Sequence, residues 1–230
     1  KLKLFNENKN THIINIDDEN AKYFWQTPAT QKYSFGIESK DTNLRADDIK
    51  ETSFKIDGVQ FSLNLLGDFN VYNALAAISV GLLQGVSLKT CKEALEKVQT
   101  IPGRMEIVVK NPFLVVVDYA HTPEQLEKVY KSLNKNPLVC VLGSCGGGRD
   151  KWKRPVLGKI AQKYCQKVII TNEDPYDEDP LSIINQVAEG AASALKVLDR
   201  REAINKALKI AKKWDTVIIT GKGSEPLMCL

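Results

Sequence analysis

A chain of 230 residues, 43% hydrophobic and 26% charged, can bury one large core or two modest ones, and its composition is that of an ordinary folded protein rather than a disordered or fibrous one. The net charge of +4 is small, and Lys209, Lys212 and Lys213 fall on a helical pattern beside acidic neighbours, so a nucleic-acid footprint is not indicated. No apolar run approaches the roughly 20 residues of a spanning helix and the amino terminus has no signal-peptide layout, which gives the expectation of a cytoplasmic chain with no membrane insertion.

The chain opens in what reads as the middle of a helix and stops just after a Gly-rich loop, so both ends read as cuts in a longer protein. His12 to Ile16 is a short buried strand. Asp57-Gly58, flanked by Ser53 to Ile56 and Val59 to Leu63, is a two-residue hairpin signal. Asn70 to Leu83 carries apolar residues at helical spacing, Gly85 is its stop, and Ser87 caps a further helix from Leu88 to Val98. Ile101-Pro102-Gly103 breaks the pattern, which sets two domains, 1–103 and 104–230. The five cysteines, Cys91, Cys140, Cys145, Cys165 and Cys229, include no Cys-x-x-Cys pair and are expected as reduced, buried thiols.

Beyond Arg104 strands and helices alternate. The strands are Leu114 to Val117, Leu138 to Leu142, Val168 to Thr171, a short one near Val197, and Thr216 to Thr220. The helices are Pro123 to Leu133, Arg154 to Tyr164, Pro180 to Ala194 and Arg200 to Lys212. Such alternation predicts an α/β fold with a doubly wound, mostly parallel sheet. Ligands of such sheets bind beyond the carboxyl ends of the strands. Four loops fall there, each rich in glycine, charge or hydrogen-bonding groups: Asp118 to Thr122, Gly143 to Asp150, Asn172 to Tyr176, and Gly221 to Glu225. Four such loops on one edge predict a site.

Gly143 to Asp150 is neither a P-loop nor a dinucleotide fingerprint, since both spacings are absent. It reads as a crossover loop or as an anion site, and Arg149, Lys151, Lys153 and Arg154 favour the anion. His121 is a ligand contact or a hydrogen-bonded structural residue before it is a general acid or base. Asp118 suits ribose hydroxyls or a helix cap. The acids from Glu173 to Asp179 complement a helix start or recognise a cation. Asn70 and Asn73, three apart, share a helix face and together can read a nucleotide, although Asp68 to Asn73 also reads as plain capping.

Taken together, Gly67-Asp68-Phe69-Asn70-Val71-Tyr72-Asn73, Pro102-Gly103-Arg104-Met105-Glu106, Val117-Asp118-Tyr119-Ala120-His121-Thr122-Pro123, Gly148-Arg149-Asp150 with Lys153-Arg154-Pro155, and Gly221-Lys222-Gly223 resemble the Mur ligases over essentially the whole chain. The likeness is greatest to the branch that adds the third residue of the stem peptide. The resemblance implies the end of a central ATP-binding domain, an α/β ATPase, followed by a Rossmann-like carboxy-terminal domain that brings the amino acid. The UDP-sugar domain and the Walker loop would precede this sequence. It also implies an ATP- and Mg²⁺-dependent amide ligase, expected as a monomer and acting through an acyl phosphate on UDP-MurNAc-L-Ala-D-Glu and L-lysine, L-ornithine or meso-diaminopimelate.

Position by position, Asn70 and Asn73 are similar to the pair that contacts ATP around its base. Arg104 and Asp118 are similar to the interdomain arginine and the ribose aspartate, with Tyr119 and His121 adjacent. Lys1 falls where the family has a lysine carbamylated beside a magnesium ion. Arg149, Asp174, Tyr176, Gly221 and Glu225 match amino-acid-binding positions. The sequence departs from the diaminopimelate pattern Asp-Asn-Pro-Arg, reading Glu173-Asp174-Pro175-Tyr176, and has Ser224 where histidine is usual. Tyrosine offers no fork for a distal carboxylate, and an acidic pocket favours lysine or ornithine. Two alternatives stay open: a sibling such as a folylpolyglutamate-synthetase relative, and a noncatalytic nucleotide-binding module. An upstream Walker loop would separate ligase from module.

Overall fold

Asp57 and Gly58 both take left-handed backbone, with φ of 48° and 78°, as a two-residue type I′ turn requires. They join the strands predicted for them in the computed structural model, which describes residues 2–229. Lys1, the expected carbamylated lysine, lies outside the described residues. The chain divides into two units, Lys1–Gln99 and Thr100–Leu230. That division falls a few residues before the expected one, because Gly103 sits against Gly223 and Ser224 with no room for a side chain.

In the first unit, α1 (Leu2–Glu7), β1 (Thr11–Asn15), α2 (Ala21–Gln26), β2 (Gln31–Gly36) and β3 (Leu44–Arg45) lead into β4 (Asp47–Lys50), β5 (Ser53–Ile56) and β6 (Val59–Ser62). The strands β1, β2 and β3 form a parallel sheet in that order, and β4, β5 and β6 an antiparallel one. Phe54 and Phe61 face each other across the hairpin and stack at 5.0 Å, both fully buried. The long helix α3 (Phe69–Leu83) sends Val71, Leu75 and Ile78 into the same core. It ends in a Schellman motif, with Gly85 at φ 79° and the Val86 N–H donating to the Gly81 carbonyl. Ser87 then caps α4 (Leu88–Lys97) by accepting from the Thr90 N–H.

The second unit holds one six-stranded sheet. Its elements in chain order are β7 (Glu106–Val109), β8 (Leu114–Val117), α5 (Pro123–Leu133), β9 (Leu138–Leu142), α6 (Lys153–Tyr164), β10 (Lys167–Ile170), α7 (Pro180–Ala188), β11 (Leu195–Lys196), α8 (Arg200–Ile210) and β12 (Thr216–Ile219). The strand order is β11-β10-β9-β12-β8-β7, parallel except for β7. Every residue of β9 is buried, as a central strand covered on both faces must be. Val115, Val139, Val141, Ile169 and Val217 meet Ala203 and Ala207 of α8 on one face, and α5, α6 and α7 run side by side. The fold class is therefore the doubly wound α/β arrangement expected.

Three expectations are corrected. The helix predicted to reach Ala194 stops at Ala188, where Gly190 passes against the Pro155 carbonyl, and the one predicted to reach Lys212 stops at Ile210. Lys212 and Lys213 therefore lie beyond the helix. The cysteines are not all reduced and buried: β10 pairs beside β9, so Cys165, just ahead of β10, meets Cys140 in a disulfide with Cα atoms 6.1 Å apart. Cys229 is exposed and Cys145 half-buried, leaving Cys91 as the buried free thiol. No described helix is long and apolar enough to cross a membrane.

Candidate functional site

Asp118 ends β8 and is buried, accepting from the Met105 N–H at 2.8 Å and the Ala120 N–H at 2.7 Å. Burial pushes its pKa up, against the pull of those N–H groups and of Arg104. The Met105 bond closes the Pro102-Gly103-Arg104-Met105 turn, where Met105 holds a φ of 48° and the Gly103 N–H donates to Glu106 at 2.7 Å. Arg104 consequently lies over the Tyr119 ring, 4.2 Å from its centroid, and Tyr119 stands edge-on to His121 at 4.9 Å. The Tyr119 hydroxyl donates to Glu225 at 2.7 Å, tying the first of the four loops to the last.

The Gly-rich loop lies against Asn172 to Tyr176, and its glycines are needed for that contact. A Cβ on Gly146 would strike the Pro175 carbonyl, one on Gly143 would strike Glu173, and the Gly146 N–H donates to the Asp174 carbonyl at 2.9 Å. Three of the four basic residues expected to await an anion are already engaged. Arg154 is fully buried with both terminal nitrogens on Glu178, Lys151 pairs with Glu178 at 2.9 Å, and Lys153 donates to the His121 carbonyl at 3.2 Å. Arg149 is exposed, with no ion pair among the described residues.

The acidic stretch is likewise divided among partners. Asp179 caps α7, as its position at a helix start predicts. Glu178 answers Arg154 rather than a helix dipole, and Asp174 pairs with Lys222 at 2.5 Å while accepting from the Cys229 N–H at 2.8 Å. The pocket is thus less acidic than the lettering implies. Asp174 and Tyr176 hold φ of 40° and 53°, a region costly for residues other than glycine, which the Gly146, Lys222 and Cys229 contacts help to fix.

Residues from all four loops line one cavity of about 350 Å³. Tyr119, His121 and Thr122 come from the first loop, Cys145, Arg149 and Asp150 from the second, with Lys153 of α6. Glu173, Asp174 and Tyr176 come from the third, Gly221 and Glu225 from the fourth. Glu173 is the most deeply buried carboxylate of the set, with Oε2 lacking a hydrogen-bond partner among the described residues, the Cys145 thiol donating to Oε1 at 3.4 Å and Arg200 3.9 Å away. Burial pushes the Glu173 carboxyl up, and burial with Glu173 nearby pushes the Cys145 thiol up to about 12. Gly221, at φ 104°, has no side chain to intrude on Glu173.

Residues 103–223 match the family model for the Mur ligase glutamate ligase domain, and residues 1–81 match that for the Mur ligase middle domain. The chain belongs to the Mur ligase family. A UDP-N-acetylmuramoyl-L-alanyl-D-glutamate--2,6-diaminopimelate ligase from Clostridium botulinum is 41% identical across 100% of this chain and 50% of its own length. A protein of the same name from Aquifex aeolicus is 40% identical, over 98% of this chain and 49% of its own. A solved structure of a ligase so named aligns with a TM-score of 0.57 at 30% identity, covering 99% of this chain and 51% of that one. This Mur ligase chain spans about half the length of the curated relatives it matches.

Within this Mur ligase chain, Tyr119, His121, Arg149, Asp174, Tyr176, Gly221 and Glu225 come together at the cavity, with Arg104 and Asp118 beside Tyr119. Asn70 and Asn73 belong to the first unit. Asn70 is buried, donates to the Leu66 carbonyl at 2.6 Å and accepts from Asn73 at 2.9 Å, so it orients Asn73, which is exposed. Asp68 makes no side-chain cap, against the capping alternative for this segment. Sequence reasoning named Arg154 for an anion and Glu173 among the acids for a cation without assigning either a place in the site, and it assigned none to Arg200 or Lys222. Arg154 and Lys222 stood inside the Lys-Arg-Pro and Gly-Lys-Gly signatures, while nothing in the lettering pointed to Arg200.

Proposed function

We propose that the chain is the part of an ATP-dependent amide ligase that adds the third amino acid to UDP-MurNAc-L-Ala-D-Glu, working as a cytoplasmic monomer. Residues 1–103 contribute to its ATP-binding domain and residues 104–230 form its amino-acid-binding domain. The observation that carries this reading is the convergence of four loops on one polar cavity at the carboxyl edge of the parallel sheet. Arg149, exposed and without an ion pair among the described residues, offers a guanidinium to the acceptor's carboxylate. Glu173, whose Oε2 faces Arg200 at 3.9 Å and accepts no hydrogen bond among the described residues, suits an ammonium. Tyr176 gives no fork for a second, distal carboxylate, and the acceptor is accordingly lysine or ornithine in preference to meso-diaminopimelate.

ATP, when bound, supplies the phosphoryl group that turns the peptide carboxylate into an acyl phosphate. In the second unit, Arg104 over Tyr119 is suited to hold it. Asp118 retains acceptor capacity beyond the two N–H groups it already serves. Among the described residues no group of three His, Cys, Asp or Glu side chains gathers as a metal site.

The test is amide formation by the complete gene product with ATP, UDP-MurNAc-L-Ala-D-Glu and a panel of amino acids. Ligation of lysine or ornithine ahead of meso-diaminopimelate is expected. A clear preference for meso-diaminopimelate would refute the acceptor, and no ligation of any diamino acid would refute the ligase.

A further inference from the structure

Arg154 lies in the first turn of α6, the end of a helix that disfavours a cation, and no acidic residue shares that turn. It is nonetheless fully buried. Both terminal nitrogens of its guanidinium donate to Glu178, at 3.0 and 3.1 Å, and the same group reaches Gln186 at 2.7 Å and the Cys145 carbonyl at 3.0 Å, while Nε finds no hydrogen-bond partner among the described residues. Burying such a pair is seldom the cheapest way to stabilise a fold, since apolar residues of like volume often serve as well. What the four bonds accomplish is geometric. They fasten the loop carrying Arg149 to the loop carrying Asp174 and Tyr176.

We propose that Arg154 is a positioning residue for the acceptor amino acid: through Glu178 and the Cys145 carbonyl it sets the spacing between the two adjoining loops that line the cavity together. This rests on the reading that the cavity takes that amino acid. The third loop needs such a tie, because Asp174 and Tyr176 hold left-handed backbone and Glu178 follows them within the same turn, its N–H donating to the Pro175 carbonyl. A planar fork fixes both distance and angle, whereas a lysine would keep the charge and lose the angle.

The experiment uses the complete ligase carrying Glu178→Gln, Arg154→Lys, or Arg154→Met with Glu178→Leu. Each variant is read by acceptor KM, by KM for ATP and for the UDP-dipeptide, by melting temperature, and by amide exchange at Asp174, Tyr176 and Asp177. Positioning predicts an acceptor KM raised about tenfold in Glu178→Gln and Arg154→Lys, with the other two KM values within about twofold. In the apolar pair the melting temperature holds while acceptor KM rises. An unchanged acceptor KM in Glu178→Gln, or KM values for all three substrates rising together with a fall in melting temperature, overturns the proposal. Should the wild type ligate no amino acid, the ligase reading fails by itself. Exchange then still decides the tie: about tenfold faster exchange at those amides in Glu178→Gln supports it, and unaltered exchange defeats it.

Discussion

Asp174 shows how a residue chosen for one purpose is already spoken for. Its carboxylate holds Lys222 and the Cys229 N–H, so its charge is answered from within the chain. Lys222 in turn spans Asp174 and Glu225; burial draws its pKa down, and the two carboxylates more than restore it. Lys222→Met leaves Asp174 buried without a cation, a change that costs about 3 kcal/mol when one partner of a buried pair is removed. Urea unfolding of the second unit measures that loss, and a midpoint equal to wild type would contradict the pairing. The residues that line the cavity were legible in the sequence because loops after parallel strands share an edge. Their partners were not: Lys222 and Asp174 are 48 positions apart, and nothing in the order of letters tells which acid meets which base.

The hairpin around Asp57-Gly58 was legible to the residue, since two residues of positive φ between alternating strands leave one register. Helix ends were less so. The passage of α7 beside α6 depends on two glycines: a Cβ on Gly158 would strike the Val187 carbonyl, and one on Gly190 the Pro155 carbonyl. Periodicity alone carries a helix through Gly190, whereas the crossing of two backbones stops it. Gly158→Ala should force the helices apart and cost about 1–3 kcal/mol, read as a lowered melting temperature.

In the first unit Asp17 accepts from the N–H groups of Ile37, Glu38 and Ser39, at 2.6, 3.0 and 2.9 Å, and from the Tyr72 hydroxyl at 3.1 Å. Burial alone would raise its pKa, yet the N–H groups prevail and bring it to about 2. A folded pKa below the unfolded value of about 3.9 means the stabilisation is complete above that value and is lost as pH falls toward 2. Asp17→Asn is expected to cost about 1 kcal/mol at neutral pH, allowing for solvent, and to flatten the acid limb of unfolding between about pH 4 and pH 2. An acid limb identical to wild type would remove Asp17 from that role.

The first unit holds two sheets and the second one, each unit has its own core, and the cavity of the four loops lies wholly in the second. The class of fold followed from alternating strands and helices, because a parallel sheet imposes that alternation. The chemistry followed from four loops rather than from any one. No Gly-x-x-x-x-Gly-Lys-Ser/Thr run occurs among these 230 residues. The chain alone is therefore expected to release no phosphate from ATP in an acceptor-dependent way, for want of a lysine at the γ-phosphate. A coupled phosphate assay checks this, and any turnover that depends on added amino acid would contradict it.

The strand β12, last in chain order among the described residues, is inserted at the middle of the six-stranded sheet, between β9 and β8. While the polypeptide is still emerging from the ribosome, both neighbours present unsatisfied amide edges around an open slot, and the two halves of the sheet have no ladder joining them. The Gly221 to Glu225 loop follows directly behind that strand. A nascent chain thus acquires the ladder that joins the two halves and the fourth loop of the cavity in one event, and a premature stop codon ahead of Thr216 abolishes both at once.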